Sequence, residues 1–149
     1  MPVTGAKSEV VGFRSREEAR EVIDRTFRLV EEDEKLAPLL RAAGLSERLE
    51  LSDFDLAVGL AAGTGDECIE WSFSDSPTFA PKISLTMESA VANSILQGAE
   101  SIGVAIARRR IKVEGDAGAV LVHLPATRLI CRHYRELVED EYPHLVIRH

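Results

Sequence analysis

The segment 94–116, SILQGAESIGVAIARRRIKVEGD, constrains the fold more than any other part of the sequence. Apolar residues recur at helical spacing on both sides of Gly98, which predicts two short helices in place of one long helix. Three arginines end the second helix, and from Ile111 onwards apolar and charged residues alternate, as they do in a half-buried strand. The segment therefore predicts short apolar helices that face a sheet.

Two helices are predicted ahead of the sheet. Ser15 and Glu18 have the spacing of a capping box, and the residues that follow are apolar at helical spacing as far as Val30. A shorter helix has Pro38 near its first turn and stops at Gly44.

Alternation of apolar and polar residues predicts five strands. The first two flank AGTGDE, and so short a connection favours an antiparallel hairpin. The Gly-x-Gly of this turn precedes a strand and not a helix, so we interpret it as a hairpin turn and not as a phosphate-binding loop. A loop is expected at 74–81, and Pro125 is expected to open the last helix. The strands are predicted at 53–60, 69–74, 83–87, 110–114 and 119–123.

The composition limits the class of protein. The 149 residues carry a formal net charge of −7, which argues against nucleic acid as a partner because phosphates attract a basic surface. No apolar run approaches the ~20 residues that span a bilayer, and the start of the chain lacks a secretion signal, so we expect a cytoplasmic protein. In that compartment Cys68 and Cys131 are expected to be reduced thiols. The predicted fold class is α+β, with an antiparallel-rich sheet covered on one side by helices.

The sequence offers little that resembles a catalytic or metal site. His123, Cys131 and His133 are conceivable metal ligands, but residues two apart on a helix point to different faces, so no metal site is predicted. No Gly-x-Ser-x-Gly elbow is present, and the acidic neighbours of Cys68 are expected to raise its pKa. We therefore expect no catalytic residue, no metal and no cofactor.

The region 87–124 resembles a known family. It contains, in order, a strand ending in ISLTM, a helix closed by LQG, a short helix AESIGVAIA, a basic-edged strand RRIKVEGD and an apolar stretch AVLVHL. This order resembles the sterol carrier protein 2 family of sterol-transfer domains, and the earlier CIEWSFSD, which contains Trp71, resembles the family's second strand. The resemblance covers 54–124. One departure is Arg109, where the family often has a glycine. The matching positions are Met87, Gly98, Ala105, Ile111, Val113, Gly115 and Asp116.

The resemblance implies a five-stranded, mainly antiparallel sheet with helices packed on one face around an apolar tunnel. It implies non-catalytic binding or transfer of a sterol, fatty acyl chain, acyl-CoA or phospholipid, without a cofactor. The apolar residues that face each other across the two layers are expected to form the wall, although each is alternatively a core residue. The candidate ligand-binding residues are Trp71, Phe73, Ile83, Leu85, Met87, Val91, Ile95, Leu96, Ile102 and Ile106. The candidate head-group contacts are Arg108, Arg109 and Arg110, which alternatively stabilise their helix through its dipole.

Two other functions remain as alternatives. A protein-interaction or homodimerisation module would use the apolar stripe of the last helix, which includes Tyr134 and Leu137, and an enzyme acting on a lipid-like substrate ranks last. The expected partner is a hydrophobic small molecule or lipid, with at most transient membrane contact. The predicted single domain, 1–149, comprises a flexible segment 1–14, an N-terminal helical region 15–45, a family-like core 53–124, and a C-terminal helix and tail 125–149.

Overall fold

The computed structural model describes residues 12–73 and 80–147, apart from the side chain of Ala117. The predicted flexible segment up to residue 11, most of the predicted loop 74–81 and residues 148–149 lie outside the described residues. The described helices are α1 (Arg16–Glu32), α2 (Ala37–Ala43), α3 (Ser89–Leu96), α4 (Ile102–Ala107) and α5 (Ala117–Glu141), with short 3-10 helices at Glu34–Leu36 and Pro143–Leu145. The strands are β1 (Ser46–Leu51), β2 (Leu56–Ala62), β3 (Ile69–Ser72), β4 (Ile83–Met87) and β5 (Ile111–Gly115).

A five-stranded sheet with the order β3-β2-β1-β4-β5 organises the fold. β1 pairs in parallel with β4, and the other pairs are antiparallel, so the predicted α+β class with a mainly antiparallel sheet is confirmed. The predicted hairpin of β2 and β3 is confirmed as well. In the central strand, Leu49 is paired with Val58 on one side and Leu85 on the other. Paired residues share a face of a sheet, so these side chains form one apolar surface, which the helices cover.

The N-terminal helices form as the sequence predicts. Ser15 Oγ accepts a hydrogen bond from the backbone N–H of Glu18 at 3.0 Å, and α1 begins at the next residue after this cap. The Glu18 carboxylate accepts the N–H of Arg14 and not that of Ser15, so only half of the capping box is formed. α2 has Pro38 in its first turn and ends at Gly44. The apolar stripe of α1 is buried and consists of Ala19, Val22, Ile23, Phe27 and Val30.

The first predicted strand was placed too early in the chain. Residues 53–55 form a turn, and β2 begins only at Leu56. Asp55 lies in this turn with a φ of 51°. The Asp53 carboxylate accepts hydrogen bonds from the backbone N–H and the hydroxyl of Ser89, at 2.8 and 2.6 Å. Asp53 therefore fixes the start of α3.

The predicted fifth strand, 119–123, is wrong, because these residues form the first turns of α5. The Asp116 carboxylate caps this helix by accepting the N–H of Gly118 at 2.9 Å. Pro125 lies inside α5, where a proline removes the hydrogen bond to the carbonyl four residues earlier. That carbonyl belongs to Leu121, a residue that is 70% exposed. The fifth strand of the sheet is β1, which the sequence analysis did not identify.

α5 forms the centre of the helical layer. Tyr134 and Val138 are completely buried, and Leu137 is nearly so. The Tyr134 hydroxyl donates a hydrogen bond to Oδ1 of Asn93 at 2.6 Å, which joins α5 to α3. The apolar stripe that includes Tyr134 and Leu137 is therefore buried within the chain and is not free to bind a partner. Within the described ranges, no helix combines the length and the hydropathy that crossing a membrane requires.

Candidate functional site

An apolar cavity of about 70 Å³, here called the inner cavity, lies between the sheet and the helices. Its walls come from β1, β2 and β4 on one side and from α1, α3, α4 and α5 on the other. Since pockets for drug-sized ligands begin near ~300 Å³, the inner cavity is too small to hold a lipid in this conformation. The lining residues are Phe27, Glu47, Leu49, Leu60, Leu85, Met87, Ala92, Ile95, Leu96, Ile102, Thr127 and Ile130.

Glu47 brings a carboxylate to the wall of the inner cavity from the centre of the sheet. Nδ1 of His123, on α5, lies 2.8 Å from Oε2 of Glu47, and the two side chains are 2% and 12% exposed. A carboxylate removed from water needs such a partner, so this contact explains how the central strand accommodates a glutamate. From the sequence, His123 was a conceivable metal ligand only, and no sequence pattern predicted a role for Glu47.

An open groove of about 650 Å³, here called the α5 groove, runs beside α5 and faces the connection between α3 and α4. Ile95, Ile102 and Thr127 line both the α5 groove and the inner cavity. These three side chains therefore form the partition between a small apolar space and a larger groove. The α5 groove is lined by Ile95, Gln97, Gly98, Glu100, Ser101, Ile102, Gly103, Leu124, Thr127, Arg128, Cys131, Arg132 and Arg135.

A third cavity, of about 280 Å³, lies on the other side of α4, against β5 and the first turns of α5. Ile102 lines this cavity as well as the inner cavity and the α5 groove. The first residue of α4 therefore stands at the junction of all three spaces. The third cavity is lined by Ile102, Gly103, Ile106, Val113, Val120, Leu121 and Leu124.

α4 is a six-residue helix with defined ends and little buried surface. Ser101 caps its start by accepting the N–H of Val104 at 3.1 Å, and Arg109 ends it with a positive φ of 61°. Only Ala105 is fully buried among its residues. Because its two large core-facing side chains, Ile102 and Ile106, are only half-buried, displacing α4 removes less burial energy than displacing a fully buried helix would. The sequence prediction of a second short helix is confirmed, although it begins at Ile102 and not near residue 99.

The structure brings half of the predicted wall residues to the inner cavity. Leu85, Met87, Ile95, Leu96 and Ile102 line it, and Ile106 lines the third cavity. The other four lie elsewhere, and the role of the whole set as a ligand contact stays a prediction. Those four are Trp71, Phe73, Ile83 and Val91.

The four other residues pack against the rest of the chain. The Trp71 ring lies 5.8 Å from that of Phe27, and Trp71 Nε1 donates a hydrogen bond to Asp24 at 2.9 Å. The guanidinium of Arg20 lies over the ring of Phe73, and its Cζ is 4.7 Å from the ring centroid. Ile83 and Val91 are buried in the core, with exposures of 1% and 6%.

The predicted head-group arginines are exposed and do not line the cavities described above. Arg110 binds Glu100 at 2.7 Å, while Arg108 and Arg109 form no ion pair with any described residue. The basic side chains that line the α5 groove are instead those of Arg128, Arg132 and Arg135. Their spacing of four and three residues places them on one face of α5. That spacing was visible in the sequence, but α5 was predicted without its first turns and without a groove beside it.

The candidate metal ligands lie apart from one another. His123 contacts Glu47, and Nε2 of His133 lies 3.0 Å from Asp33 Oδ2. Cys131 Sγ contacts the carbonyl of Ile95, and burial, together with the charge of Glu47, raises the pKa of this thiol to about 12. In the described part of the chain, no three histidine, cysteine or acidic side chains form a metal-binding group.

Solved structures share this arrangement of sheet and helices. Sterol carrier protein 2 from Yarrowia lipolytica, in its apo form, matches with a TM-score of 0.55 at 16% identity, over 76% of this chain and 97% of that chain. The chain has the sterol carrier protein 2 fold. The sterol carrier protein domain 2 of Helicoverpa armigera matches with a TM-score of 0.54 at 12% identity, over 74% of this chain and 89% of that chain.

A third structure with this fold is a UbiJ-SCP2 ubiquinone synthesis protein, which matches with a TM-score of 0.55 at 12% identity, over 75% of this chain and 89% of that chain. No family model matches the chain, and no curated protein matches it either. The expected resemblance to the sterol carrier protein 2 fold is thereby confirmed. At these identities the likeness establishes the fold and not the ligand.

Proposed function

We propose that this chain is a cytoplasmic carrier that binds a single hydrophobic ligand, such as a fatty acyl chain or a sterol, between its sheet and its helices. The ligand's apolar part occupies an enlarged inner cavity, and it enters from the α5 groove past Ile95, Ile102 and Thr127. The observation that carries the proposal is the shared wall of these two spaces. A groove of about 650 Å³ is large enough for a ligand, whereas the inner cavity behind it is too small to hold one in this conformation.

Entry requires a movement of α4. Ile102 stands at the junction of the cavities, and Ala105 is the one fully buried residue of α4, while Ile102 and Ile106 pack half-buried against the core. The connection that leads into α4 contains Gly98 and Ser101, and both residues line the α5 groove. A short, lightly buried helix is the kind of segment that opens on the microsecond to millisecond timescale to admit a ligand. We therefore assign the gating movement to α4.

The proposed activity is binding and release without catalysis. Burial, with the neighbouring charge of Glu47, raises the pKa of Cys131, and burial raises the pKa of the Cys68 thiol, so neither thiol is activated as a nucleophile. The two described polar residues that line the inner cavity are satisfied elsewhere, Glu47 by His123 and Thr127 through its hydroxyl's hydrogen bond to the carbonyl of His123, so the cavity wall is mainly apolar. Such a wall suits a ligand that is retained by burial and not by reaction.

Uptake of a fluorescent fatty acid, combined with native mass spectrometry, tests the proposal. We expect one lipid per chain, and we expect Ile102→Trp to weaken uptake at least tenfold because the larger side chain fills the partition. Ile106→Trp is the matched control, since Ile106 is also half-buried on α4 but lines only the third cavity. Wild-type protein that takes up no lipid, or an Ile102→Trp variant that binds as wild type does, would contradict the proposal.

A second candidate function, self-association, is favoured by exposed apolar side chains, two of them adjacent in α5. Leu121 is 70% exposed, Val122 57% and Val104 43%, although each is a large apolar side chain. Adjacent exposed apolar side chains, such as those of Leu121 and Val122, are typical of interaction surfaces. Sedimentation velocity distinguishes this candidate: a dimer that dissociates on Leu121→Glu, in a protein that takes up no lipid, would replace the carrier proposal.

A further inference from the structure

The wall of the α5 groove changes along α5 from apolar to basic. Leu124 and Thr127 lie towards the start of the helix, and Arg128, Arg132 and Arg135 follow. At 1.5 Å per residue, Arg128 and Arg132 are roughly 6 Å apart along the helix axis, which is one helical turn. The apolar end adjoins Ile102 and the partition to the inner cavity. The groove therefore has one apolar end and one basic end, which matches an amphiphilic ligand that lies along α5.

The charge of two of these arginines is not neutralised by an ion pair with a described residue. Arg135 binds Glu139 at 3.2 Å, but Arg128 and Arg132 form no ion pair within the described part of the chain. Glu100 is the one acidic residue that lines the groove; Arg110 binds its Oε1 at 2.7 Å, while its buried Oε2 has no hydrogen-bond partner among the described residues. The groove is thus locally positive on a protein whose net charge is −7. A local field of this sign attracts anions to one place on an otherwise repelling surface.

We infer that Arg128 and Arg132 bind the anionic head group of the ligand, a carboxylate or a phosphate, while its hydrocarbon part extends past Thr127 and Ile102 into the inner cavity. This inference rests on the proposed function. The planar guanidinium suits both kinds of head group because it donates two parallel hydrogen bonds to their oxygens. The ligand class is therefore an anionic amphiphile, in preference to a neutral sterol or alcohol.

The test compares two probes that share a ten-carbon chain and differ in the head group, decanoate and 1-decanol. Isothermal titration calorimetry at low salt measures both with the wild-type protein and with Arg128→Gln/Arg132→Gln. We expect the double variant to bind decanoate about tenfold more weakly and to bind 1-decanol as the wild type does. Higher salt should weaken the binding of decanoate but not that of 1-decanol, since only the charged contact is screened.

The matched control is Arg108→Gln/Arg109→Gln. It removes the same charge from exposed arginines that also lack an ion pair among the described residues, but these do not line the groove. Equal weakening of decanoate by the two double variants would show a long-range charge effect and overturn the inference. So would unchanged binding of decanoate by Arg128→Gln/Arg132→Gln.

The remaining outcomes distinguish the inference from the function on which it rests. If the wild type binds both probes equally and neither double variant matters, the head-group site is wrong and the carrier proposal stands. If the wild type binds neither probe, both are wrong. Inorganic phosphate is the third probe: binding as strong as that of decanoate would identify a site for free anions and not for an amphiphile.

Discussion

Arg109 ends α4 in the same left-handed backbone conformation in which Gly98 ends α3, with φ of 61° and 77°. In each case the residue's N–H bonds to the carbonyl three residues earlier, at 3.0 Å, and the next N–H bonds to the carbonyl five residues before it, at 2.8 and 2.9 Å. This is the Schellman end of a helix, in which the left-handed position is usually glycine. Arg109 therefore holds a conformation that its side chain disfavours.

Exchanging the residue type at these two positions should change stability in opposite directions. A left-handed conformation costs a side-chain-bearing residue about 1 kcal/mol, so we expect Arg109→Gly to raise the free energy of unfolding by up to this amount and Gly98→Ala to lower it by about as much. A Cβ at Gly98 meets no atom within 4 Å, so backbone strain alone is tested there. Urea denaturation measures both variants, and an Arg109→Gly protein less stable than the wild type would contradict the expectation.

The sequence predicted those parts of the fold in which local pattern and tertiary environment agree. The split at Gly98, the strand at β4 and the buried stripe of α1 each follow from the spacing of apolar residues, and the structure confirms them. The sequence shows Arg109 at a position where the family often has a glycine. Its left-handed backbone conformation was not predicted, because it depends on where α4 ends.

The sequence could not show the parts that long-range contacts decide. β1 has the sequence SERLEL, whose charged residues argue against a central strand, and it is accommodated because His123 binds Glu47 from a helix 76 positions away. The residues 119–123 are apolar and β-branched enough to predict a strand, yet the cap at Asp116 and packing against the sheet make them helical. The basic wall of the groove was missed for the same reason, since it exists only once α5 lies beside the α3–α4 connection.

The hydrogen bonds of Asn93 should contribute more to the free energy of unfolding than the single hydrogen bond of the neighbouring Tyr134 hydroxyl. Nδ2 of Asn93 donates to the carbonyl of Leu145 at 2.9 Å, and Oδ1 accepts hydrogen bonds from Tyr134 and from Gln97, both at 2.6 Å. We expect Asn93→Ala to lower the free energy of unfolding by about 3 kcal/mol, because it leaves buried polar groups without this partner. Tyr134→Phe should cost only about 1 kcal/mol, since Gln97 still satisfies Oδ1. Equal losses in urea denaturation would contradict this ranking.

The thiol of Cys131 should report on access to the wall of the α5 groove, which this residue lines. With its pKa raised to about 12 by burial and by the charge of Glu47, the thiolate fraction at pH 8 is roughly a thousandfold below that of an ordinary cysteine. We expect a disulfide reagent to label the native protein slowly and the urea-unfolded protein at once. A bound lipid should slow labelling further in Cys68→Ser, in which Cys131 is the remaining cysteine. Rapid labelling of native Cys68→Ser would show that the groove wall around Cys131 is open at rest.

Acid should destabilise the protein through carboxylates that are hydrogen-bonded in the folded state. Burial raises the pKa of Asp24, but hydrogen bonds from Arg28 and Trp71 outweigh it, and the pKa lies below its ordinary value. The hydrogen bond to His133 likewise lowers the pKa of Asp33. A folded-state pKa below the unfolded one contributes stability above the unfolded value, and this contribution is lost as the pH falls through the folded pKa. The free energy of unfolding should therefore fall progressively as the pH is lowered from about 5 towards 3.

Asp24→Asn isolates one of these carboxylates. Its amide oxygen still accepts a hydrogen bond but does not titrate, so we expect a shallower loss of stability between pH 5 and 3 than in the wild type. Glu136→Gln is the charge-matched control, because Glu136 is exposed on α5. Trp71 is the single tryptophan and bonds directly to Asp24, so its fluorescence follows both unfolding and the loss of this contact. Acid profiles that are identical in Asp24→Asn and the wild type would show that this carboxylate does not contribute to the acid sensitivity.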